Sequence, residues 1–573
     1  MRLVSQSAPG AIITDVLPCE LLAAIAQHVT EARSIGQLEA TCTSLLKASR
    51  ARQHLRLSFG EQRQAPPAAL GSQDVAAALL RYPLLQSLTA QGQANVPDKF
   101  WAGVFDCLLL SSSVHLRRLT LASTAALNLF GGLGKLMERG LQSVVLSNTA
   151  GVGDALVHAI CHGTTQLREL RLDGSRVTDR CLKDLRNAHD SLEVLDLSVT
   201  RVTESGLAVL FAPPPPPAAS WARLGALHLR GCARLRALPA AMSTLQLRVL
   251  EVGDAGYHAC GTFYFLTTHL QPTALAILAS PPPAPPPAPP PAPPLAPPPA
   301  PPLPPLPRAT LGACLAVLDL GGGRALDGDA LALALSACSE LRSLTLAGCQ
   351  RAADACLAAL SSSGCGNSLA FLNVSHTAVT DLRHLRSGPT AIGRALHTLL
   401  FAGCAKLPAD ALMHLVPGQD GDPSLCHLPR LAVLSAHTTA VDDASAPAIA
   451  RLSATLRWID LGRTRVGHAT VEALAALPEA QLRGVGLGDA RVSEKHLGSL
   501  ASHAALIGLH SPVPLISTNH TRRSAAGEVS HEWALAAGGR HRGAGRERDQ
   551  GSVSSLSSRD PHAARVVRHL ERT

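Results

Sequence analysis

The 573-residue sequence contains few aromatic residues, which make up 3% of it, although hydrophobic residues make up 46%. A core of this composition must be built from leucine and alanine rather than from large rings. No uninterrupted apolar run reaches the ~20 residues that a membrane-spanning helix requires. The first ten residues also lack the apolar stretch of a secretory signal. We therefore expect a soluble protein of the cytoplasm or nucleus.

Motifs for metal, nucleotide and catalytic chemistry are also missing. The 14 cysteines include no CxxC pair and no Cys/His cluster with zinc spacing. The net charge of +9 is small for this length, and no basic block interleaved with aromatics indicates nucleic-acid binding. Gly131–Lys135 lacks the spacing of a phosphate-binding loop, and Gly321–Gly323 lacks the dinucleotide fingerprint. We expect a non-catalytic protein with no cofactor and no resident metal.

Leucines spaced three and then two residues apart recur along the chain. They occur at Leu167, Leu170 and Leu172, and the spacing returns 25 residues later. Such a segment is typical of a short strand, and the following Thr178-Asp179 pair is typical of a helix start. One unit cannot bury its own apolar face, so the repetition predicts an α/β solenoid of strand–helix repeats.

Small residues recur at the turn that follows the predicted strands. The cysteines in this group are Cys181, Cys232, Cys349, Cys356 and Cys404, and the threonines are Thr200, Thr377, Thr439 and Thr464. We interpret these cysteines as small buried groups at a strand-to-loop corner, because free cysteine packs as a small hydrophobe. The array resembles the cysteine-containing class of leucine-rich-repeat proteins. The resemblance implies repeats of about 25–26 residues, each with a helix on the convex side.

An apolar helical pattern precedes the repeats, in a segment that begins Leu17-Pro18-Cys19-Glu20-Leu21-Leu22. Pro18 suits the first turn of a helix, and the apolar positions share one face. The segment resembles an F-box, although Leu45 stands where that family usually has an aromatic. The resemblance implies contact with the Skp adaptor of SCF-type ubiquitin ligases and with its cullin complex, through Leu17, Pro18, Glu20, Leu21, Leu22, Ile25, Leu38, Cys42 and Leu45. The alternative is a helix pair that caps the first repeat.

These patterns divide the chain into seven parts, from a disordered N-terminus to a disordered tail. They are a disordered N-terminus (1–14), a small all-α F-box-like module (15–57), a degenerate repeat (58–115), a first repeat block (116–252), an insertion (253–310), a second repeat block (311–511) and a disordered tail (512–573).

The insertion contains a run of Pro, Ala and Leu at residues 281–307. Proline cannot donate to a strand ladder or continue a helix, so this run should leave the solenoid as an extended arm. It is either a docking arm for an SH3, WW or profilin-like partner or a low-complexity expansion that the loop tolerates. Residues 253–280 form a lid, a degenerate repeat or both.

Side chains that flank the inner leucines should project from the concave sheet, because alternate strand residues face opposite ways. We expect this surface to bind an unknown target protein. Its candidate residues are Glu169, Arg171, Asp173, Asp196, His228, Arg230, Asp319, Asn373, Trp458 and Asp460. Trp458 is either a binding hot spot or a cover for the end of the array.

Three functions fit these patterns. In the first, the chain is the substrate-recognition subunit of an SCF-type ubiquitin ligase. In the second, it is a scaffold in which the repeats and the proline arm bind separate partners. In the third, it regulates an enzyme in the manner of a GTPase activator.

Overall fold

The structure is a computed structural model, and it describes most of both repeat blocks. The described residues are 54–58, 85–91, 103–106, 108–109, 115–122, 130–149, 151–163, 166–186, 190–212, 221–253, 275, 278, 311–365, 368–385, 392–416, 428–452, 456–476, 482, 484–488, 490, 492, 507–508, 521–523 and 529–531. The nine adaptor-contact residues predicted between Leu17 and Leu45 lie outside this set. So do the proline run and almost all of residues 253–280.

One parallel sheet runs through the repeats, with each strand paired to the next in chain order. Within the described residues it has sixteen strands: β1 His54–Ser58, β2 Ser87–Gln91, β3 Arg118–Leu121, β4 Ser143–Val145, β5 Glu169–Arg171, β6 Val194–Asp196, β7 Ala226–His228, β8 Val249–Glu251, β9 Val317–Asp319, β10 Ser343–Thr345, β11 Phe371–Asn373, β12 Thr398–Leu400, β13 Val433–Ser435, β14 Trp458–Asp460, β15 Gly484–Gly486 and β16 Ile507–Gly508. This order confirms the predicted leucine-rich-repeat solenoid.

The central residue of each strand explains why the repeats stack. Leu170 pairs in register with Leu195, which pairs with Leu227, and all three are fully buried. Burying one leucine side chain contributes about 1.5–3 kcal/mol. Each repeat supplies several such leucines, so the core is a continuous leucine ladder with only a few aromatic rings, as the composition predicts.

The connections on the other face contain short helices. The α-helices in the described residues are α1 Phe130–Glu138, α2 Asp154–Gly163, α3 Leu182–Leu185, α4 Glu204–Phe211, α5 Leu311–Cys314, α6 Gly328–Ser336, α7 Asp354–Ser362, α8 Ala446–Leu452 and α9 His468–Ala475. Other connections contain only 3₁₀ turns, such as Ala411–Leu415. The expectation of a full helix in every repeat was therefore too general. Strands pack ~4.8 Å apart and helices 8–10 Å apart, which places the sheet on the inner, concave side.

A left-handed residue precedes the corner that follows each strand. The residues at this position with positive φ are Asn148, Val199, His376, Thr438 and Arg463 together with Gly174, Gly231, Gly322, Gly348 and Gly403. In several repeats the next residue closes the corner through its side chain. Thr200 Oγ1 donates to the Leu197 carbonyl at 2.6 Å, and Cys404 Sγ donates to the Val374 carbonyl at 3.0 Å. The corner interpretation is thus confirmed for Cys232, Cys349, Cys404 and the four threonines.

Cys181 and Cys356 occupy a different place from the one predicted. Cys181 ends the 3₁₀ turn Asp179–Cys181, and Cys356 lies within α7. Their thiols point to the Thr178 and Gly328 carbonyls in the helical layer. The corner of the Cys181 repeat is instead occupied by Ser175, which is buried at the position equivalent to Thr200.

Carboxylates tie successive repeats together on the helical side. Asp154 accepts from the backbone N–H of Thr178 at 2.8 Å and from its hydroxyl at 2.6 Å. Asp179 makes the same pair of bonds with Thr203 at 2.8 and 2.5 Å. Thr178 caps its own turn through a 3.4 Å bond from Arg180 N–H, so the predicted helix start is present. The partner Asp179, however, reaches forward to the next repeat.

The sheet continues across the insertion between β8 and β9. Val249, Leu250 and Glu251 pair with Val317, Leu318 and Asp319 in the register of neighbouring repeats. The strands on either side of residues 254–310 therefore meet as if the segment were absent. Insertion into a solenoid loop is tolerated because loop-closure cost grows slowly with length.

The two ends of the chain depart from the predicted boundaries. Strand β1 pairs with β2, so the sheet begins at His54, inside the range 15–57 assigned to a helical module. In the tail, β17 Thr521–Arg523 and β18 Val529–His531 form an antiparallel pair, so residues 512–573 are not uniformly without structure. Among the described residues, no helix is both long and apolar enough to cross a bilayer.

Candidate functional site

A row of mainly polar side chains crosses the concave face, one residue after the central residue of each strand. We call it the concave row: Arg171, Asp196, His228, Glu251, Asp319, Thr345, Asn373, Leu400, Ser435 and Asp460. Parallel register places its members side by side, although neighbours such as Glu251 and Asp319 are as much as 68 residues apart in the chain. The row therefore joins charges that are far apart in the sequence.

The middle of the concave row is a buried charge network that spans β7, β8 and β9. His228 Nδ1 lies 2.7 Å from Glu251 Oε2, and Arg230 Nε lies 3.1 Å from the same oxygen. Arg230 Nη2 also donates to Asp319 Oδ2. All four side chains are at least 92% buried. A buried carboxylate is stable only when it is paired, and here each carboxylate meets a cation.

The pKa values in this network follow from burial and from the neighbouring charges. Burial alone would raise the pKa of Glu251, but Arg230 and His228 outweigh it and lower that pKa to about 2. Burial alone would lower the pKa of His228, but the Glu251 carboxylate raises it above 6.5. Burial raises the pKa of Asp319 against the attraction of Arg230, with the charge of Glu251 adding to the rise. The network thus favours a protonated His228 beside an ionised Glu251.

A second polar group, at β4 and β5, is only half-buried. Arg171 Nε donates to Glu169 Oε1 at 2.8 Å, and Ser143 Oγ donates to Glu169 Oε2 at 2.8 Å. Burial opposes ionisation of Glu169, but Arg171 and the Ser143 bond keep its pKa below 4.5. Asp173 accepts from Ser147 Oγ at 2.8 Å, while burial and Asp196 raise its pKa. We call Glu169, Arg171 and Asp173 the entry patch, because they retain solvent exposure.

Four residues that were predicted to contact the target protein instead hydrogen-bond to their own backbone. Asp196, Asp319, Asn373 and Asp460 each accept from the backbone N–H two residues ahead, at 2.9–3.0 Å. All four are buried, as are His228 and Arg230. The prediction that these six side chains form an open binding surface was therefore wrong for the isolated chain. The cause is the short polar side chain at the end of a strand, which closes an Asx turn on its own backbone.

Trp458 belongs to an apolar cluster on the same face, at and beside strands β11 to β14. Phe371, Leu400, Ala432 and Val433 are buried there, and half-buried Trp458 packs against them. The indole lies over Gly484 so closely that a Cβ at that residue would stand 2.2 Å from the ring. Trp458 therefore packs on the adjoining strand β15, while part of its surface stays accessible.

Residue patterns alone missed several partners of the predicted residues. Ser143 and Ser147 hold the carboxylates of the entry patch, and His437 Nδ1 lies 3.4 Å from Asp460 Oδ2. Aligning the repeats on their central leucines would have placed these residues beside their partners. No feature of a single repeat signals them.

The cysteine thiols offer little chemistry. Every cysteine within the described residues is free, and all except Cys314 are buried. Burial raises the pKa of Cys349 to about 12, and burial together with Asp184 raises that of Cys161 to about 12. A thiol with so high a pKa is neither a good nucleophile nor a ready metal ligand. These properties agree with the packing role inferred from the sequence.

No protein-family model matches the chain, and no curated protein matches it. Among solved structures, an internalin (inlF) of Listeria monocytogenes aligns with a TM-score of 0.37 and 14% identity, over 66% of this chain and 83% of that one. A chain of a yeast complex of Rad7 and Elc1 aligns with a TM-score of 0.35 and 14% identity, over 86% of this chain and 90% of that one. At these values the fold assignment depends on the strand register described above and not on these two structures.

Proposed function

We propose that this chain is a protein-binding receptor subunit of an SCF-type ubiquitin ligase. The observation that carries the proposal is the F-box-like segment beginning at Leu17, followed in the chain by a leucine-rich-repeat solenoid with a polar concave face. In this proposal, Leu17, Pro18, Glu20, Leu21, Leu22, Ile25, Leu38, Cys42 and Leu45 contact a Skp-type adaptor. The solenoid binds the target protein.

The contacts among side chains on the concave face indicate which residues are available to bind the target protein. In the buried network His228 and Arg230 form ion pairs with Glu251 and Asp319, so their charges stabilise the solenoid. The entry patch keeps one positive and two negative side chains partly exposed, close to the N-terminal end of the sheet. A partner with complementary mixed charge would dock there, and the half-exposed Trp458 is a separate apolar anchor near the other end.

The proposed role requires no catalytic residue in this chain. Holding a target beside a charged ubiquitin-conjugating enzyme raises the effective concentration of the reacting groups. The chain would supply position, and other subunits would supply the chemistry. The same role is consistent with high thiol pKa values among the described cysteines.

Co-purification of the full chain with a Skp-type adaptor tests this proposal. The double variant Leu21→Asp/Ile25→Asp places charges on the apolar face of the first predicted helix, so it should lose the adaptor. Glu169→Ala/Arg171→Ala changes the entry patch and should keep the adaptor, while losing captured target. Circular dichroism and urea unfolding check that the solenoid remains folded in both. If the wild type does not bind the adaptor, or if the Leu21/Ile25 variant binds equally well, the ligase role is wrong.

A scaffold role is the second candidate, and the register across the insertion favours it. Because β8 and β9 pair as ordinary neighbours, residues 254–310 contribute no strand to the sheet between them. A proline-rich segment at that place suits an SH3, WW or profilin-like domain. Deleting 281–307 should leave the unfolding midpoint unchanged and remove only a proline-binding partner. If that deletion abolishes the main interaction while adaptor binding is absent, the scaffold role replaces the ligase role.

A further inference from the structure

Two histidines and an aspartate meet on the helical side of the solenoid, away from the concave face. His158 and His162 stand four residues apart on α2, so they lie one turn apart on the same helix face. Their ring centroids are 4.2 Å apart. Asp184 reaches them from α3 in the next repeat, with Oδ2 3.1 Å from His158 Nδ1 and Oδ1 3.9 Å from His162 Nε2.

The distances suit a shared cation better than a set of hydrogen bonds. A hydrogen bond accounts for His158 and Asp184, but 3.9 Å is too long for one between His162 and Asp184. One ligand atom from each of the three residues lies within 4.8 Å of the other two. Ligands held ~2.0–2.1 Å from a tetrahedral zinc ion stand about 3.4 Å apart, so small rotamer changes would bring all three to that spacing.

The chemistry of the donor set also favours zinc. Two imidazole nitrogens and one carboxylate oxygen are common zinc ligands, whereas magnesium and calcium prefer oxygen alone. The imidazoles are more than half exposed, so an ion can enter from solvent and a water molecule can complete the tetrahedron. Cys161 precedes His162 in the chain, but it is buried and its high pKa disfavours the thiolate.

We propose that His158, His162 and Asp184 bind one Zn²⁺ ion that clamps α2 to α3. The ion joins two successive repeats, because Asp184 follows His158 by 26 residues, about one repeat. If zinc binds only the folded chain, it raises the free energy of unfolding. At zinc concentrations above the dissociation constant, this increase grows with the logarithm of the zinc concentration. The site lies on the opposite face from the proposed target surface and is independent of the ligase role.

Calorimetric titration of the metal-free full chain with ZnCl₂ tests the clamp. The chain has 24 histidines, so the measured quantity is the difference in stoichiometry between variants. His162→Ala removes one ligand from an exposed position. Asp184→Asn keeps the shape of the third ligand but removes its negative charge. Each should bind one Zn²⁺ fewer than the wild type and lose the zinc-dependent rise in melting temperature. Co²⁺ in place of Zn²⁺ should give the visible absorption of a tetrahedral site in the wild type and in neither of these two variants.

His468→Ala is the matched control. His468 is also exposed on a helix and pairs with Glu472 at 3.2 Å, but it has no second histidine one turn away on α9. This variant should keep the wild-type stoichiometry, melting shift and Co²⁺ spectrum. Equal stoichiometry in the wild type and His162→Ala would overturn the proposal, as would an equal loss in His468→Ala. Circular dichroism without zinc verifies that all variants are folded.

Discussion

Replacing Glu251 with glutamine tests whether the buried network stabilises the solenoid. Glu251 Oε2 lies 2.7 Å from His228 Nδ1 and 3.1 Å from Arg230 Nε, and its side chain is 7% exposed. Glutamine keeps the size of the side chain but removes the negative charge. Arg230 would then keep Asp319 as a partner, whereas a protonated His228 would keep only the attraction of Asp196.

The magnitude follows from the pKa of Glu251. A fall from 4.5 to about 2 corresponds to about 3 kcal/mol, because each pKa unit is worth ~1.36 kcal/mol. Removing one partner of a buried ion pair costs a similar amount, about 3–5 kcal/mol, since it leaves the other charge unbalanced. We therefore expect Glu251→Gln to lower the unfolding free energy at neutral pH by about 3 kcal/mol.

Urea unfolding at pH 7 measures the change, with Glu472→Gln as the control. Glu472 is 69% exposed and also pairs with a histidine, so its substitution should change the unfolding free energy by less than ~0.5 kcal/mol. A lower midpoint with an unchanged slope identifies a loss of stability rather than a change in the unfolded chain. A loss below ~1 kcal/mol for Glu251→Gln would refute the argument.

The pH dependence gives an independent check with a defined sign. Because the folded pKa of Glu251 is depressed, its stabilisation is present above pH 4.5 and is lost as the pH falls toward about 2. The folded pKa of His228 is raised, so its stabilisation is present below pH 6.5 and is lost as the pH rises through the raised value. Glu251→Gln should remove the part of the acidic loss that Glu251 contributes and reduce the loss on the alkaline side.

Three further predictions concern the corner, the links between repeats and the thiols. Val199 has φ 55° and is 43% exposed, so Val199→Gly should raise the unfolding free energy by about 1 kcal/mol, whereas Val209→Gly in α4 should lower it. A melting scan that shows destabilisation by Val199→Gly would contradict this expectation. Asp179→Ala leaves two groups of Thr203 without their acceptor and should cost about 1–3 kcal/mol in urea unfolding. The exposed Glu204→Ala should cost less than ~1 kcal/mol, and equal losses would count against the link. Mass spectrometry after brief treatment of the native chain with a thiol reagent should find Cys314 modified before Cys349, and the reverse order would be inconsistent with their burial.

The leucine pattern predicted the strands well because it reports a local property. Each strand needs an inward leucine flanked by outward residues, and this alternation is visible within five residues at Leu170 or Leu195. The corner residues Thr200 and Cys404 were also recognisable from their place in the repeat. Thr200 donates to the Leu197 carbonyl three residues back, and Cys404 donates to the Val374 carbonyl of the preceding repeat. The prediction for Cys181 was wrong because a cysteine at a similar spacing can pack in the helical layer as well as at the corner.

The pattern within one repeat could not predict which side chains on the concave face are buried and which are exposed. Arg230 and Asp319 are 89 residues apart and meet only because β8 and β9 pair across the insertion. A polar side chain that projects from the sheet, such as Arg230, can be buried when the adjoining repeat supplies a side chain of opposite charge. The exposure of Glu169 and the burial of His228 therefore depend on which residues stand beside them in the row.

The amino-acid sequence by itself determined the repeat: its leucine ladder, its corner residues and, at Thr178-Asp179, the start of a helical segment. These features act within one repeat, so their spacing along the chain is sufficient to reveal them. Only the tertiary structure decided which polar residues pair on the concave face and that His158, His162 and Asp184 come together. Those contacts join adjacent repeats, and stacking brings side chains about 25 or more residues apart to within hydrogen-bonding or metal-ligand distance.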